Sequence, residues 1–209
     1  MLVRILAMIG APLIALSTVS QGWLSASEYA GQGGSLGEGV WRYLCYFTVL
    51  TNTFVTIVLA RAALRPDDRG GLNAPRIELM AVTSILFVGA VYNILLAHLW
   101  DPQGLRKFND VILHDVSPLA FAAFWALRRH SALTWRDAAF TAIWPAAYTL
   151  YAQIRGAADG FYPYFFTDPT RASWSQVLGN MVGLMAVFVV AALLLVGLAS
   201  TRARLQPQI

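Results

Sequence analysis

Six separate apolar stretches, each of about 20 residues, occupy nearly the whole chain. They lie near residues 3–21, 41–63, 77–100, 108–127, 136–155 and 176–199. A helix rises about 1.5 Å per residue, so about 20 apolar residues match the roughly 30 Å hydrocarbon core of a bilayer. The composition agrees, since 57% of the residues are hydrophobic and only 12% are charged. The sequence therefore predicts an all-α polytopic integral membrane protein, with residues 1–209 forming one domain of six transmembrane helices.

The positions of the basic residues predict the orientation of these spans. If alternate loops share a side, one side holds Arg4, Arg61, Arg65, Arg69, Arg76, Arg128, Arg129, Arg136, Arg202 and Arg204. The other side holds fewer, namely Arg42, Arg106, Lys107, Arg155 and Arg171. Because cytoplasmic loops of membrane proteins retain an excess of Lys and Arg, we expect both termini to be cytoplasmic.

The net charge of +4 does not indicate nucleic-acid binding, because the arginines are scattered over short loops beside apolar spans. Membrane topology and anionic lipid headgroups explain them. The partners that we expect are membrane lipids and a small amphipathic ligand, and the oligomeric state is left open. The first span also resembles a signal peptide with Ser-Ala-Ser at 25–27 as a cleavage site. We expect it to be retained, since six spans return the Arg-rich tail to the basic side.

Polar residues within the spans gather in one half of the bilayer. The second span runs inward from residue 41, so Cys45, Thr48 and Asn52 share one helical face at spacings of three and four residues. The fourth span also runs inward and places Asp110 and His114 on one face. Other polar residues in the same half are Tyr92, Asn93, Tyr148, Tyr151 and Asn180. Since intramembrane ionisable residues are costly and mark functional sites, this asymmetry predicts an outward-opening polar cavity.

His114 is the strongest of these candidates. Pro118 lacks an N–H, so it leaves the carbonyl of His114 without its helical partner and favours a kink there. The other two histidines are expected on the surface, because His98 lies at a span boundary and His130 in a basic loop. Cys45 is the single cysteine and excludes an intrachain disulfide.

Three local patterns resemble the androgen-induced-protein family of six-span membrane proteins. Trp-Arg-Tyr-Leu-Cys at 41–45 is similar to the family's Trp-Lys-aromatic-aliphatic-Thr. The segment at 109–118 is similar to its Asn-plus-His segment ending in Pro, and Gly-Phe-Tyr-Pro at 160–163 to its outer loop. The bacterial branch adds an aromatic-Phe-Thr-x-x-Thr/Ser-Asn run, matched at 46–52, and a Tyr-Pro-Tyr loop, matched at 162–164.

This resemblance implies an activity and a location. Animal members of the family hydrolyse fatty acid esters of hydroxy fatty acids with an intramembrane Thr nucleophile and a His partner. A gapless match places Cys45 at the nucleophile position, whereas a shifted match places Thr48 there. A Cys can replace a Thr, because its thiolate is the better nucleophile when a His lowers its pKa. The bacterial branch implies a bacterial plasma membrane, with the site open to the extracytoplasmic side.

Two functions stay open at this point. The first is a lipid-ester hydrolase with Cys45 or Thr48 as nucleophile, His114 as general base and Asp110 as its orienting group. Asn52, Asn93 or a Tyr hydroxyl would stabilise the oxyanion, and Tyr92, Tyr148, Tyr151 and Asn180 complete the supporting set. The second is a non-catalytic transporter or ligand-binding membrane protein that uses the same cavity.

The sequence favours neither a cofactor nor a metal ion. Haem binding through His98 and His114 requires two axial ligands that face one another, and these residues differ in depth. A zinc site requires a cluster of Cys, His and carboxylates, which the spacing does not provide.

Overall fold

The computed structural model describes residues 1–128, 130 and 133–205. Residues 204 and 205 are described by their backbone alone. This part of the chain is all-helical, with 82% helix and no strand, which confirms the predicted all-α class. Of the basic residues used to predict the topology, Arg129 and the side chain of Arg204 lie outside the described residues.

Nine α-helices follow one another in the described part of the chain. They are α1 (Leu2–Gly31), α2 (Leu36–Tyr43), α3 (Phe47–Leu64), α4 (Pro75–Val91), α5 (Leu105–Val111), α6 (Ser117–Leu127), α7 (Trp135–Thr141), α8 (Ile143–Asp159) and α9 (Trp174–Leu205). A π-helical turn at Tyr92–Leu96 and a 3-10 turn at Ala97–Leu99 extend α4, and a π-helical turn at Ile112–Val116 joins α5 to α6. Short 3-10 turns at Gly71–Asn73 and Phe165–Thr167 lie in loops.

Five helical segments of the described chain are long and apolar enough to cross a membrane. They are Leu2–Gly31, Phe47–Leu64, Pro75–Leu99, Leu105–Leu127 and Trp174–Ala203. These lengths and compositions are those of a helical membrane protein.

The remaining predicted span, near 136–155, is divided into α7 and α8 by a turn at Ala142. Its longer part, α8, has 17 residues. Pro145 lies one turn after Thr141 and has no N–H to donate to the carbonyl of that residue, so the helical hydrogen bonds are interrupted at this point.

The prediction of one continuous helix over 41–63 is wrong, because the chain leaves the helical path at residues 44–46. Tyr46, the residue before α3, is extended with ψ of 134°. The Tyr148 hydroxyl donates to the Cys45 carbonyl at 3.0 Å, and the Tyr151 hydroxyl donates to the Leu44 carbonyl at 3.1 Å. Hydrogen bonds from α8 therefore satisfy carbonyls that the break releases. Cys45 consequently does not share a helical face with Thr48.

α2 is a separate helix that packs on α1. Ser35 and Glu38 form a reciprocal capping box, which fixes where this helix begins. Gly39 lies against α1 so closely that an added Cβ would be 2.6 Å from the Ala26 Cα. At the other end, Arg155 donates to the Trp41 carbonyl at 2.7 Å and its guanidinium lies 3.7 Å from the Trp41 ring centroid. α2 is thus held between α1 and α8.

α4 is the central helix and packs against α3, α6, α7 and α9. Its first turn carries Glu78, which is fully buried. Arg128 binds this carboxylate, with Nη2 2.8 Å from Oε1, and the side chain of His130 lies 4.0 Å from Oε2. We call Glu78, Arg128 and His130 the Glu78 cluster. The sequence analysis did not identify Glu78, although it lies inside a predicted span.

His130 is not the surface residue that its basic loop suggested. Its side chain is 7% exposed, and its ring stacks on Trp125 with centroids 4.6 Å apart. Its Nε2 lies 2.8 Å from the Trp125 carbonyl. His130 therefore packs against the end of α6, which places the imidazole beside a buried carboxylate. His98 is exposed, as expected.

Candidate functional site

The two π-helical turns lie against each other at the end of α4 opposite to Glu78. The Tyr92 ring stacks on the His114 ring, with centroids 3.6 Å apart and an angle of 11° between the planes. Gly89 permits this close approach, since an added Cβ would be 3.0 Å from the His114 carbonyl oxygen and 3.1 Å from the Pro118 ring. Single π-helical turns inside α-helices are frequent at functional sites, so this contact marks a candidate functional site.

Asp110 orients His114 through the i,i+4 spacing that the sequence analysis singled out. His114 Nδ1 lies 3.1 Å from Asp110 Oδ1 and 3.0 Å from the Asp110 carbonyl oxygen. The Tyr92 hydroxyl donates to Asp110 Oδ2 at 2.8 Å, and the Trp100 indole donates to the Tyr92 hydroxyl at 2.9 Å. Lys107 Nζ lies 3.9 Å from Asp110 Oδ2. This arrangement directs Nδ1 toward the carboxylate and leaves Nε2 for a ligand. We call Tyr92, Asp110 and His114 the His114 cluster.

The His114 cluster lies on the wall of a cavity of about 520 Å³. Of the ten site residues predicted from the sequence, the wall contains four: Thr48, Tyr92, Asp110 and His114. Other polar and aromatic side chains on the wall include Arg42, Tyr43, Tyr46, Arg106, Phe161 and Tyr164. A hydroxyl, an imidazole and an orienting carboxylate therefore share one cavity.

Thr48 is in the first turn of α3, beside the hydroxyl of Tyr164. That phenol accepts the Phe47 N–H at 3.0 Å and has the hydroxyl and amide of Thr48 as further hydrogen-bonding neighbours. Burial raises the pKa of Tyr164 to about 12, so the phenol keeps its proton at neutral pH. Tyr164 is a site residue that the sequence analysis gave no role. Its signal was the Tyr-Pro-Tyr pattern of the loop after α8, which carries no information on what the loop covers.

A second, apolar crevice of about 80 Å³ adjoins this cavity. The two share the wall residues Thr48, Tyr92, Leu96 and Tyr164. The rest of the crevice is mostly apolar and is lined by Phe87, Val88, Val91, Met181, Leu184, Met185 and Phe188, among others. Thr48 therefore lies where a polar compartment meets an apolar one.

Cys45 and Asn52 do not line the cavity. Cys45 is fully buried in the break before α3. Asn52 is also fully buried, and its amide donates to the Thr48 carbonyl at 2.9 Å and to the Leu113 carbonyl at 3.2 Å. The second bond corrects the expectation about Pro118. The N–H of residue 117 bonds to the carbonyl of residue 112, and in that π-helical register the Leu113 carbonyl faces Pro118, which has no N–H. Asn52 supplies the missing donor.

Asn93 and Asn180 also lie away from the cavity wall. Asn93 is exposed, and its amide donates to Asp115 Oδ1 at 2.9 Å and to the Gly89 carbonyl at 3.0 Å. Asn180 is exposed too, and donates to the Phe166 carbonyl at 2.8 Å. Both side chains therefore use their amides in contacts within the fold, and neither lines the cavity.

Tyr148 and Tyr151 use their hydroxyls in the fold. Each donates to a carbonyl in the break between α2 and α3, as described above. Tyr151 also accepts a hydrogen bond from Arg155 at 2.7 Å. Tyr148 lines the apolar crevice with its ring, so it contributes shape to the site.

No group of three or more Cys, His, Asp and Glu residues that could hold a metal ion occurs in the described ranges. Comparisons with protein-family models, with curated proteins and with solved structures find no match for this chain. The resemblance to the androgen-induced-protein family therefore stays a prediction, and the function is argued from the site.

Proposed function

We propose that this chain is an intramembrane lipid-ester hydrolase. In this proposal Thr48 is the nucleophile, His114 the general base and Asp110 the group that orients His114. One observation carries it: the imidazole is held by Asp110 at 3.1 Å and shares a cavity wall with the Thr48 hydroxyl. The family resemblance implies the same chemistry.

The topology that we propose has six spans with both termini in the cytoplasm of a bacterial cell. Five apolar helical segments support it, together with α7 and α8, which form the sixth span in two pieces. The excess of arginines on one side sets the orientation. The large cavity then opens to the extracytoplasmic side, from which water enters, while the acyl chain enters from the lipid.

Thr48 is favoured over Cys45 as the nucleophile because of access. Thr48 lies on the wall of both the cavity and the crevice, whereas Cys45 is fully buried beside the α8 hydroxyls. A thiol enclosed in this way cannot meet an ester carbonyl without a rearrangement of the break. The choice corresponds to the shifted match of the sequence to the family pattern.

The reaction that we propose uses these groups. As the Thr48 Oγ1 attacks the ester carbonyl carbon, His114 Nε2 takes its proton, and Asp110 stabilises the resulting imidazolium. The carbonyl oxygen becomes an oxyanion, and the Tyr164 hydroxyl, a hydrogen-bonding neighbour of Thr48, is the donor that we propose for it. His114 then gives its proton to the departing alcohol. Water, activated by the same imidazole, hydrolyses the acyl-threonine and regenerates the hydroxyl.

The test is covalent labelling with a long-chain fluorophosphonate, followed by intact mass. The hydroxyl attacks phosphorus and fluoride departs, so one adduct is expected in the wild type. We expect Thr48→Ala to lose the adduct and His114→Ala to form it about 100-fold more slowly or worse, since general-base catalysis contributes at least this factor. Cys45→Ala and His98→Ala are the matched controls and keep the adduct.

Two results would contradict the proposal in different ways. An adduct that is lost in Cys45→Ala and kept in Thr48→Ala would move the nucleophile to the thiol. No adduct in folded wild-type protein would favour the second function, a transporter or ligand-binding protein that uses the cavity without chemistry.

A further inference from the structure

We infer that Arg42 forms an anion-binding subsite in the large cavity, and that the ligand is a single-chain amphiphile with a carboxylate or phosphate group. The position of an ester at Thr48 rests on the proposed function, whereas anion binding at Arg42 does not. Three features of the cavity support this inference. They are the ring contacts of the Arg42 guanidinium, the ion pairs of the other charged residues on the wall and the shape of the adjoining crevice.

The guanidinium of Arg42 is held between two aromatic rings. Its central carbon lies 4.6 Å from the centroid of Tyr29 and 4.8 Å from that of Phe161. All three side chains line the cavity. Among the described residues, no side chain or carbonyl forms a hydrogen bond or ion pair with this guanidinium. Contact with the two rings restrains the guanidinium and leaves its N–H groups for a ligand, and a guanidinium can bind carboxylates and phosphates in bidentate fashion.

The other charged groups on this part of the wall already have partners. Arg106 binds Glu28 at 2.9 Å and the Leu24 carbonyl at 2.9 Å. Asp110 is bonded to Tyr92 and His114.

Glu38 lies one turn before Arg42 on α2, but its carboxylate accepts from the Ser35 N–H at 2.8 Å and from the Ser35 hydroxyl at 2.9 Å. Arg42 is therefore the cation of this wall that has no carboxylate bonded to it among the described residues. A cation with free N–H donors on a cavity wall favours an anionic ligand.

The crevice defines the other end of the ligand. Its volume of about 80 Å³ and its lining by Phe87, Met185 and Phe188 admit a short segment of one apolar chain. Because the crevice meets the cavity at Thr48 and Tyr164, a chain in the crevice directs its polar end into the cavity that contains Arg42. A molecule that occupies both compartments is thus apolar along one chain and anionic at the far end.

The experiment compares three probes with the same chain: dodecanoate, dodecyl phosphate and dodecanol. Each is titrated into the full-length protein in zwitterionic lipid nanodiscs, and binding is followed by tryptophan fluorescence, because Trp100 lines the cavity. We expect the anions to bind at least tenfold more tightly than the alcohol, as a charge-assisted hydrogen bond implies. Arg42→Gln should remove this advantage without changing the affinity for dodecanol, and Arg42→Lys should keep part of it.

The matched control is Arg76→Gln, since Arg76 is also stacked on an aromatic ring, Phe140 at 5.0 Å, but does not line the cavity. This variant should keep the full preference for anions. The tighter of the two anionic probes identifies the head group. Equal affinity for dodecanol and both anions in the wild type would overturn the inference, as would an unchanged preference in folded Arg42→Gln. If Arg42→Gln does not fold, full anion preference in Arg42→Lys at high salt would overturn it.

The result is separable from the hydrolase proposal. Thr48→Ala should keep the anion preference while it loses the fluorophosphonate adduct. An adduct without anion preference would leave the hydrolase standing and remove the subsite. Anion preference without an adduct would leave the subsite standing and remove the hydrolase.

Discussion

The two ends of α4 carry the same kinds of group in different surroundings. At one end, Asp110 is paired with His114, whose ring is stacked on Tyr92 at 3.6 Å. At the other end, Glu78 lies beside His130, whose ring is stacked on Trp125 at 4.6 Å. At each end a buried carboxylate thus lies beside an imidazole that is stacked on an aromatic ring. The difference is access, because the His114 cluster lines a cavity whereas Glu78 is fully buried.

The two clusters also differ in the groups that compensate the negative charge of the carboxylate. The carboxylate of Glu78 is bound by Arg128, at 2.8 Å, and Arg69 lies at 3.6 Å, so its charge is compensated by groups that remain protonated. Asp110 has a lysine only at 3.9 Å, accepts from the Tyr92 hydroxyl at 2.8 Å and contacts the His114 imidazole at 3.1 Å, a group that can accept and release a proton. The first arrangement is suited to holding a loop, and the second to moving a proton.

The largest expected effect comes from exchanging one carboxylate at a time. Glu78→Ala leaves Arg128 buried without its anion, so we expect the free energy of unfolding to fall by about 3 to 5 kcal/mol. The labelling rate of the fraction that still folds should not change. Asp110→Asn should behave in the opposite way, with a melting temperature close to wild type and labelling slower by about 100-fold.

Scanning fluorimetry and timed intact mass measure the two quantities in the same preparations. If labelling of folded Glu78→Ala were slowed in proportion to its loss of stability, and that of Asp110→Asn were slowed without a loss of stability, the two clusters would be coupled through α4. If Asp110→Asn labelled at the wild-type rate, the His114 cluster would be as structural as the Glu78 cluster.

How much of this was visible in the sequence depends on how far apart the contacting residues lie along the chain. Asp110 and His114 are one turn apart, and the spacing alone brought them together. The apolar stretches likewise gave the all-α class, since the length of a span is a local property. Their edges were less accurate, as α1 runs on to Gly31 and α9 to Leu205.

The break at residues 44–46 was invisible for a physical reason. It contains neither Gly nor Pro, and its carbonyls are satisfied by tyrosines more than 100 residues later. A helical wheel therefore placed Cys45 and Thr48 on one face, although only Thr48 belongs to α3. Glu78 was missed for the same reason, because its partner Arg128 lies 50 residues away, directly after α6.

The next effect concerns pH and the Glu78 cluster. Burial lowers the pKa of His130 to about 4, from an unfolded value near 6.5. Between these two values the unfolded state binds more protons than the folded state, so the free energy of unfolding falls as the pH falls. This stabilising contribution is fully present above about pH 6.5. By pH 4 the free energy of unfolding has fallen by about 2 to 3 kcal/mol because the contribution is lost.

Melting temperatures of wild type and His130→Gln between pH 7.5 and 4.5 measure this contribution. The variant should lose less stability over the range, and the exposed His98→Gln is the control that follows the wild type. Parallel curves for wild type and His130→Gln would show that the imidazole is solvated, and the Glu78 cluster would then be more open than its 7% side-chain exposure at His130 implies.

The smallest effect tests whether the tyrosines beside the cavity belong to the fold or to the site. Tyr148→Phe removes the hydroxyl that donates to the Cys45 carbonyl, so we expect the free energy of unfolding to fall by about 1 kcal/mol. Labelling should proceed at the wild-type rate, because the ring that lines the crevice remains.

Tyr164→Phe is the matched comparison, since that phenol lies beside Thr48. Its labelling should slow by about tenfold or more as an oxyanion donor is lost. If Tyr148→Phe slowed labelling as much as Tyr164→Phe, the break between α2 and α3 would be part of the reactive site, and Cys45 would again be a candidate nucleophile.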